Sequence, residues 1–302
     1  MNGVKSMKIA YTSDVHADIT LNNGRLIPYL VKRLQDIKPD VFVIAGDISN
    51  TLNSMDGTLK LFNELSCLKV MVPGNHDVWI ESNNSLRKGK DSFYKYRQAI
   101  PQVCSQNGFL YPITEPCIID NTAIVGNIGW YDYTLADSRL TSTYNFMDYV
   151  RGTFAEGIWN DTKYAVWLKH PDSPCWKERL KTFSNSSLFE VLLDELKKSV
   201  GKMPDDIRKV LIVLHTAPFK ECIIPKVEPS PFDAYEGSAQ IGEFIKTISK
   251  EREVSIICGH RHKKLFLDMG NIKLYRSPVG YLDKFQTDYE RIAGDVIGYF
   301  EM

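Results

Sequence analysis

Short apolar runs recur along the chain, and each is cut off by a polar or glycine-rich turn. They are MKIAYTSD (7–14), VFVIAGD (41–47), KVMVPGN (69–75), AIVGNIG (123–129), VLIVLHT (210–216), VSIICGH (254–260) and NIKLYRSP (271–278). Their shortness, β-branched content and turn boundaries predict buried strands rather than helices. Between several of them the apolar positions take up helical spacing. GRLIPYLVKRLQDIKPD (24–40) places Leu26, Leu30, Val31 and Leu34 on one face. It must end before Pro39, because a residue preceding proline is driven out of the helical region. TLKLFNELSC (58–67), SSLFEVLLDELKKS (186–199) and AQIGEFIKTISKER (239–252) predict amphipathic helices in the same way. Strands alternating with helices predict an α/β layered fold.

The rhythm breaks from about 130 to 185. There the chain shows no clean strand but many rings, among them Trp130, Tyr131, Tyr133, Tyr149, Phe154, Trp159, Trp167 and Trp176. This region reads as an excursion from the core, partly helical around DTKYAVWLKH (161–170). With no repeat, low-complexity tract or linker, the expectation is a single domain over 1–302 with this aromatic-rich region inserted.

Composition changes the picture little. With 302 residues, 43% hydrophobic and 25% charged, the chain has ordinary globular make-up and can bury a sizeable core. A formal net charge of +0 removes the generic electrostatic reason to expect nucleic acid or an anionic membrane as a partner. No stretch approaches the roughly 18 to 20 apolar residues of a membrane span, and the N-terminus lacks a signal peptide's apolar segment. The six cysteines are scattered without a CxxC pair, the usage of reduced thiols in an intracellular protein. A cytoplasmic location is expected; oligomeric state is left open.

Candidate chemistry is far more informative. Asp14 and His16 follow the first predicted strand, Asp47 and Asn50 the second, and Asn75, His76 and Asp77 the third. His215 ends a later run, and His260 and His262 end the next. Ligands of open α/β sheets bind beyond the carboxyl ends of the strands, so these groups are expected to converge. Any one such histidine has a duller reading as a hydrogen-bonded turn residue. Five of the six share the context, His170 being the exception, and that points to a common site. Asp14-x-His16 and His260-x-His262 each set two ligands at i, i+2, where extended backbone puts them on one face. Two aspartates, four histidines and an Asn carbonyl are too many for one tetrahedral ion. They suit two divalent ions such as manganese, iron or zinc. No cysteine takes part, which argues against a structural zinc. Paired ions of this kind clamp an in-line displacement at phosphorus and bring the pKa of a bound water near neutral.

In order, Asp14-x-His16, Gly46-Asp47, Gly74-Asn75-His76-Asp77, His215 and Gly259-His260-x-His262 resemble the motifs of the calcineurin-like metallophosphoesterase superfamily. SPVGY (277–281) is similar to a segment that follows the last histidine motif in some members. The resemblance implies a layered β-sandwich flanked by helices and hydrolysis of a phosphoester by a metal-bridging hydroxide. It implies that Asp14, His16 and His262 hold one ion, that Asn75, His215 and His260 hold the other, and that Asp47 bridges them. His76 would be the catalytic residue, a general acid for the leaving oxygen. Two departures stand out. Where some members carry an Asp that orients the catalytic histidine, this chain has Asn50, and where others have a second histidine it has Thr216. Asp77 either takes over the support of His76 or caps a following helix, and capping is the expectation.

The ligand set specifies a reaction class and not a substrate. A small phosphomonoester, phosphodiester or nucleotide is expected, with a protein phosphatase, a nuclease or a catalytically silent scaffold as alternatives. The aromatic excursion either hangs over the site as a lid able to stack a base or packs into a hydrophobic cluster of its own; the cluster is the expectation. Among Arg139, Arg151 and Arg261, the last has the best claim on phosphate, because it lies between two ligands.

Overall fold

The computed structural model describes residues 6–223 and 228–302. Its strands are β1 (Lys8–Thr12), β2 (Val41–Ala45), β3 (Leu68–Val72), β4 (Phe109–Leu110), β5 (Cys117–Ile119), β6 (Thr122–Asn127), β7 (Thr153–Phe154), β8 (Gly157–Ile158), β9 (Lys209–Leu214), β10 (Glu253–Ile257), β11 (Leu265–Asp268), β12 (Ile272–Arg276) and β13 (Gly298–Glu301). One sheet runs β13-β1-β2-β3-β4 and a second runs β11-β12-β10-β9-β6-β5. The inner strands of both are parallel, whereas β13, β11 and β5 join antiparallel at the edges.

Why apolar runs rather than alternation marked these strands is visible in their burial. Ile9, Tyr11, Val43, Val70 and Val72 of the first sheet share one buried cluster with Ile124, Leu211, Val213 and Ile257 of the second. Their neighbours in the chain, Ala10, Phe42, Ile44, Met71, Ile212 and Ile256, belong to a second cluster that includes helical Leu26, Leu30, Leu192 and Ile245. Both faces of each central strand are therefore covered. Every fully buried Leu or Ile in these layers contributes roughly 1.5–3 kcal/mol.

The four expected helices appear as Leu21–Ile37, Leu52–Leu61, Asn185–Gly201 and Ala239–Ile248. The second starts earlier than its apolar pattern suggested, because the Thr51 side chain accepts from the Ser54 N–H and caps it there. A C-terminal helix, Tyr289–Val296, and the short strands β4, β5, β7, β8, β11 and β13 were not anticipated. Most of these strands lie at sheet edges or in the β7-β8 hairpin and are too brief to show a period.

The aromatic excursion also needs correcting. It contains the β7-β8 hairpin, which was not expected, whereas it is partly helical around DTKYAVWLKH as expected, in the single turn Asp161–Tyr164. Its rings do not form a cluster apart: Trp130, Tyr131, Tyr133, Tyr149, Phe154 and Trp167 are buried in the same cluster as the sheet and helix residues. Thr216, next to His215, helps to seat the region by accepting the Trp130 backbone N–H at 3.1 Å. All six cysteines are free. Among the described residues no helix is long and apolar enough to cross a membrane.

Candidate metal centre

Five parallel strands, β1, β2, β3, β9 and β10, deliver their carboxyl ends to one place, and the turns that follow are tightly interlocked. The Asp14 N–H donates to Gly46 O and the His16 N–H to Asp47 O, both at 2.9 Å, while the Gly259 N–H reaches His215 O at 2.9 Å. Sharp turns of this kind are made by left-handed backbone. Asp14 (φ 53°), His16 (φ 47°), Asp47 (φ 56°) and His260 (φ 68°) all adopt it, and Asp and His tolerate it better than most residues. Gly46, at φ 84°, has no alternative: a Cβ there would lie 2.4 Å from His215 Nδ1.

Beneath the turns sits Asp77. Its carboxylate accepts from the backbone N–H of Asp47 (2.8 Å), Ile48 (2.9 Å), Ser49 (3.0 Å) and Gly74 (2.8 Å). It therefore caps no helix, contrary to expectation; it ties the β2 and β3 exits together. Burial, then the neighbouring Asp47 carboxylate, push its carboxyl up to about 7, against the pull of these donors.

The side chains then meet in two groups. In one, His215 Nδ1 donates to Ala45 O at 2.9 Å, which turns Nε2 inward, 3.1 Å from Asn75 Oδ1 and 3.3 Å from Asp47 Oδ2. His260 Nδ1 lies 3.1 Å from the same Asn75 oxygen and 3.3 Å from His215 Nε2. In the other, His16 Nε2 and His262 Nε2 are 3.1 Å apart, and His262 Nε2 is 3.4 Å from Asp14 Oδ1. Asp47 Oδ2 reaches toward both groups, standing 3.7 Å from His16 Nε2. Asp14, His16 and His262 form one compact set of potential ligand atoms, and Asp47, His215 and His260 form another.

This arrangement fits cations. Asn75 Oδ1 and Asp47 Oδ2 crowd His215 Nε2 and His260 Nδ1, atoms that would meet acceptor against acceptor without a proton or a cation among them, and buried polar atoms seldom lack a partner. A pair of borderline divalent ions suits such nitrogen and oxygen ligands. The titration of the same groups points the same way. Burial opposes charge on Asp14 and Asp47, yet the histidines outweigh it, holding Asp14 at about 2 and Asp47 well below the usual carboxylate range. Burial keeps His16 down at about 4 and His260 at about 3, so both present neutral rings. At His215 burial is outweighed, chiefly by Asp47, and its pKa rises to about 10. A proton there does part of what a metal ion would do.

His76 stands at the rim. Its backbone N–H donates to Asp47 Oδ1 at 2.9 Å, and its Nδ1 lies 2.8 Å from Asn50 Oδ1. Its ring packs on Trp79 with centroids 3.7 Å apart. Nε2 is left on the cleft side, 3.4 Å from the Tyr281 hydroxyl. Support for His76 therefore comes from Asn50 and not from Asp77. His76 also lies close enough to His16 and Asp47 to make a third possible ligand set.

Residues 7–264 match the model of the family described as calcineurin-like phosphoesterase. The chain belongs to that family. It is accordingly a metal-dependent hydrolase of phosphoesters. No curated protein matches it. Among solved structures it is similar to a phosphopantetheinyl hydrolase of Mycobacterium tuberculosis, at 15% identity and TM-score 0.67, over 97% of this chain and 95% of that one. A dimetal phosphatase of Danio rerio is similar at 16% identity and TM-score 0.48, over 89% of this chain and 86% of that one.

The phosphoesterase opens above these groups into a cleft of about 480 Å³ whose walls include Trp79, Trp159, Phe232, Tyr281, Arg261 and Lys263. Arg261 is nearly buried and pairs with Asp233 at 3.6 Å and Glu236 at 3.9 Å. Arg139 and Arg151 are absent from the lining and pair with Asp137 and Asp148. One excursion ring reaches the cleft after all: Trp159, stacked on Tyr235 at 4.8 Å, stands 5.7 Å from the His260 ring. Sequence reasoning missed Asp161 beside it. Only an acidic residue within a run of aromatics offered a signal.

Proposed function

We propose that the phosphoesterase hydrolyses a small phosphomonoester or phosphodiester, nucleotides included, at a dinuclear centre. Asp14, His16 and His262 would hold one ion, Asn75, His215 and His260 the other, with Asp47 between them. The observation that carries this reading is the convergence of potential ligand atoms: Asn75 Oδ1 and Asp47 Oδ2 both lie within 3.3 Å of His215 Nε2, whose other ring nitrogen donates to Ala45 O. Two divalent ions, manganese, iron or zinc, would supply Lewis acidity toward phosphoryl oxygens and a nucleophile from water at neutral pH.

The chain's own groups do the rest. His76 Nε2 faces the cleft and gives a proton to the departing oxygen, while Asn50 holds Nδ1 and fixes the ring plane. A neutral amide orients the imidazole without stabilising its cation, so His76 works here without the help a carboxylate would give. Trp159 and Phe232 offer an apolar wall for the leaving group. Arg261 is engaged by two carboxylates, which disfavours a highly charged polyphosphate. The whole chain is read as one domain, with the aromatic region as an insertion that completes the cleft.

Hydrolysis of p-nitrophenyl phosphate and its bis ester by the manganese-loaded protein tests the reading. Turnover of either supports it, and the ratio of rates separates phosphatase from phosphodiesterase. An inert protein that takes up no metal would instead be a scaffold.

A further inference from the structure

Asp161 is 3% exposed and takes four hydrogen bonds. Oδ1 accepts from Asn75 Nδ2 at 2.9 Å and Trp79 Nε1 at 2.6 Å. Oδ2 accepts from Trp159 Nε1 at 3.0 Å and the Tyr131 hydroxyl at 3.3 Å. The short helix that carries it is fastened to the β3 exit, since the Ile80 N–H donates to Tyr164 O at 2.8 Å.

We infer that Asp161 is the positioning residue that sets the Asn75 amide so that its carbonyl faces His215 and His260; this rests on the reading of Asn75 as a metal ligand. An amide has two nearly isosteric orientations. In the flipped one, Asn75 Oδ1 would oppose the Asp161 carboxylate, and its N–H₂ would fill the space between His215 Nε2 and His260 Nδ1 where a cation belongs. A buried acceptor with no donor makes that orientation costly. The two tryptophans clamp the carboxylate in turn, and each has a second duty: Trp79 lies under His76, and Trp159 walls the cleft. One carboxylate from the excursion thus aligns a ligand, the support of the acid and the leaving-group wall. Outer-sphere partners of this kind are typically worth about 10- to 100-fold in metal affinity.

The test is calorimetric titration with manganese, with bound metal counted by elemental analysis. The wild type should take two ions; if it takes none, the dinuclear reading fails whatever Asp161 does. Given two, Asp161→Asn should weaken one ion by about 10- to 100-fold and leave the other unchanged. In an Asn75→Ala background the same change should have no further effect, because its route runs through Asn75. Wild-type affinity in Asp161→Asn, or an equal loss in both backgrounds, would overturn the inference. A measurement on the unaltered protein guards against misfolding of the variants. The Asn75 side-chain N–H should exchange slowly with solvent, and exchange at the rate of an exposed amide would refute the contact itself.

Discussion

Replacing Gly74 by alanine adds one carbon at the most crowded point of the site. The backbone there is not left-handed, so alanine's own conformational preferences do not forbid it. The obstacle is steric: the new Cβ would lie 2.1 Å from Asp47 Oδ1 and 2.6 Å from Asp47 N. Ordinary contact begins at 3.4 Å, so the oxygen must retreat by 3.4 − 2.1 = 1.3 Å and the nitrogen by 3.4 − 2.6 = 0.8 Å. Neither has room. Asp47 Oδ1 is engaged by the His76 N–H at 2.9 Å, and Asp77 Oδ2 holds the N–H groups of Asp47 and Gly74 together at 2.8 Å each. Parting the turns by 0.8 Å would stretch one of the latter to about 3.6 Å, no longer a hydrogen bond. Losing a bond to a charged acceptor costs roughly 1.5–3 kcal/mol. A shift of about 1 Å in a group that aligns the reaction costs on the order of 100-fold in rate. Gly74→Ala should therefore lower kcat/KM on bis-p-nitrophenyl phosphate by on the order of 100-fold and reduce metal content. Gly57→Ala is the matched control: this glycine is exposed in the Leu52–Leu61 helix with nothing within 4 Å of a Cβ. It should gain roughly 0.5–1 kcal/mol in urea unfolding at unchanged activity. A Gly74→Ala protein with two ions and wild-type kcat would refute the reasoning.

Removing the imidazole in His76→Ala should cut turnover by on the order of 10²- to 10⁴-fold while both ions stay bound; loss of an ion would make His76 a ligand. Asp47→Ala should release both ions, since Oδ2 reaches both groups; retention of either, by elemental analysis, would place the bridge elsewhere. Asn50→Asp sets a carboxylate against His76 Nδ1 and should move the leaving-group limb of the pH–rate profile up by about 1 to 3 units; an unmoved limb would count against His76 as the acid. Metal uptake at pH 8 should release the His215 proton, held there by a pKa of about 10, but none from His16 or His260, and the heat should vary with buffer ionisation enthalpy. That proton stabilises the metal-free protein fully below pH 6.5, and the contribution is lost as the pH rises toward 10; a melting temperature flat over that window would contradict it.

Whatever depended on a long local pattern could be read from the chain. All seven predicted strands are present, and six of them, β12 with its exposed Lys273 being the exception, stood out as apolar runs because both of their faces are buried. The strand-end histidines stood out because the ends of those runs are where ligands gather. What escaped notice depended on pairing. β11 and β13 are edge strands whose partly exposed residues carry no continuous apolar signal. β7 and β8 have two residues each and exist as a hairpin only by pairing with one another. The rings of the excursion were expected to keep to themselves; they entered the main core because Trp130, Tyr131 and Trp167 pack within the same buried cluster as the sheets and helices.

The two carboxylates that were misjudged or missed show where local reading must fail. Asp77 looked like a cap because Asp commonly precedes a helix, but three of its four N–H donors lie 28 to 30 residues earlier in the chain. Asp161 looked like one acid among aromatics, yet its Asn75 partner is 86 residues away. Asp77 acts on backbone N–H groups, which every sequence possesses, and Asp161 on an amide, two indoles and a hydroxyl spread from Asn75 to Trp159, so no local pattern at either aspartate advertises the contact. The ligands themselves are different. A polar turn and a metal site did not compete as explanations of Gly46-Asp47 and Gly259-His260, because the left-handed backbone at Asp47 and His260 is the turn that delivers the ligand. Residues tolerant of that conformation, Asp and His, are also those with lone pairs to offer. Hence the fold could place its ligands with no loop longer than a tight turn, and crowding of the kind found at Gly46 and Gly74 follows directly.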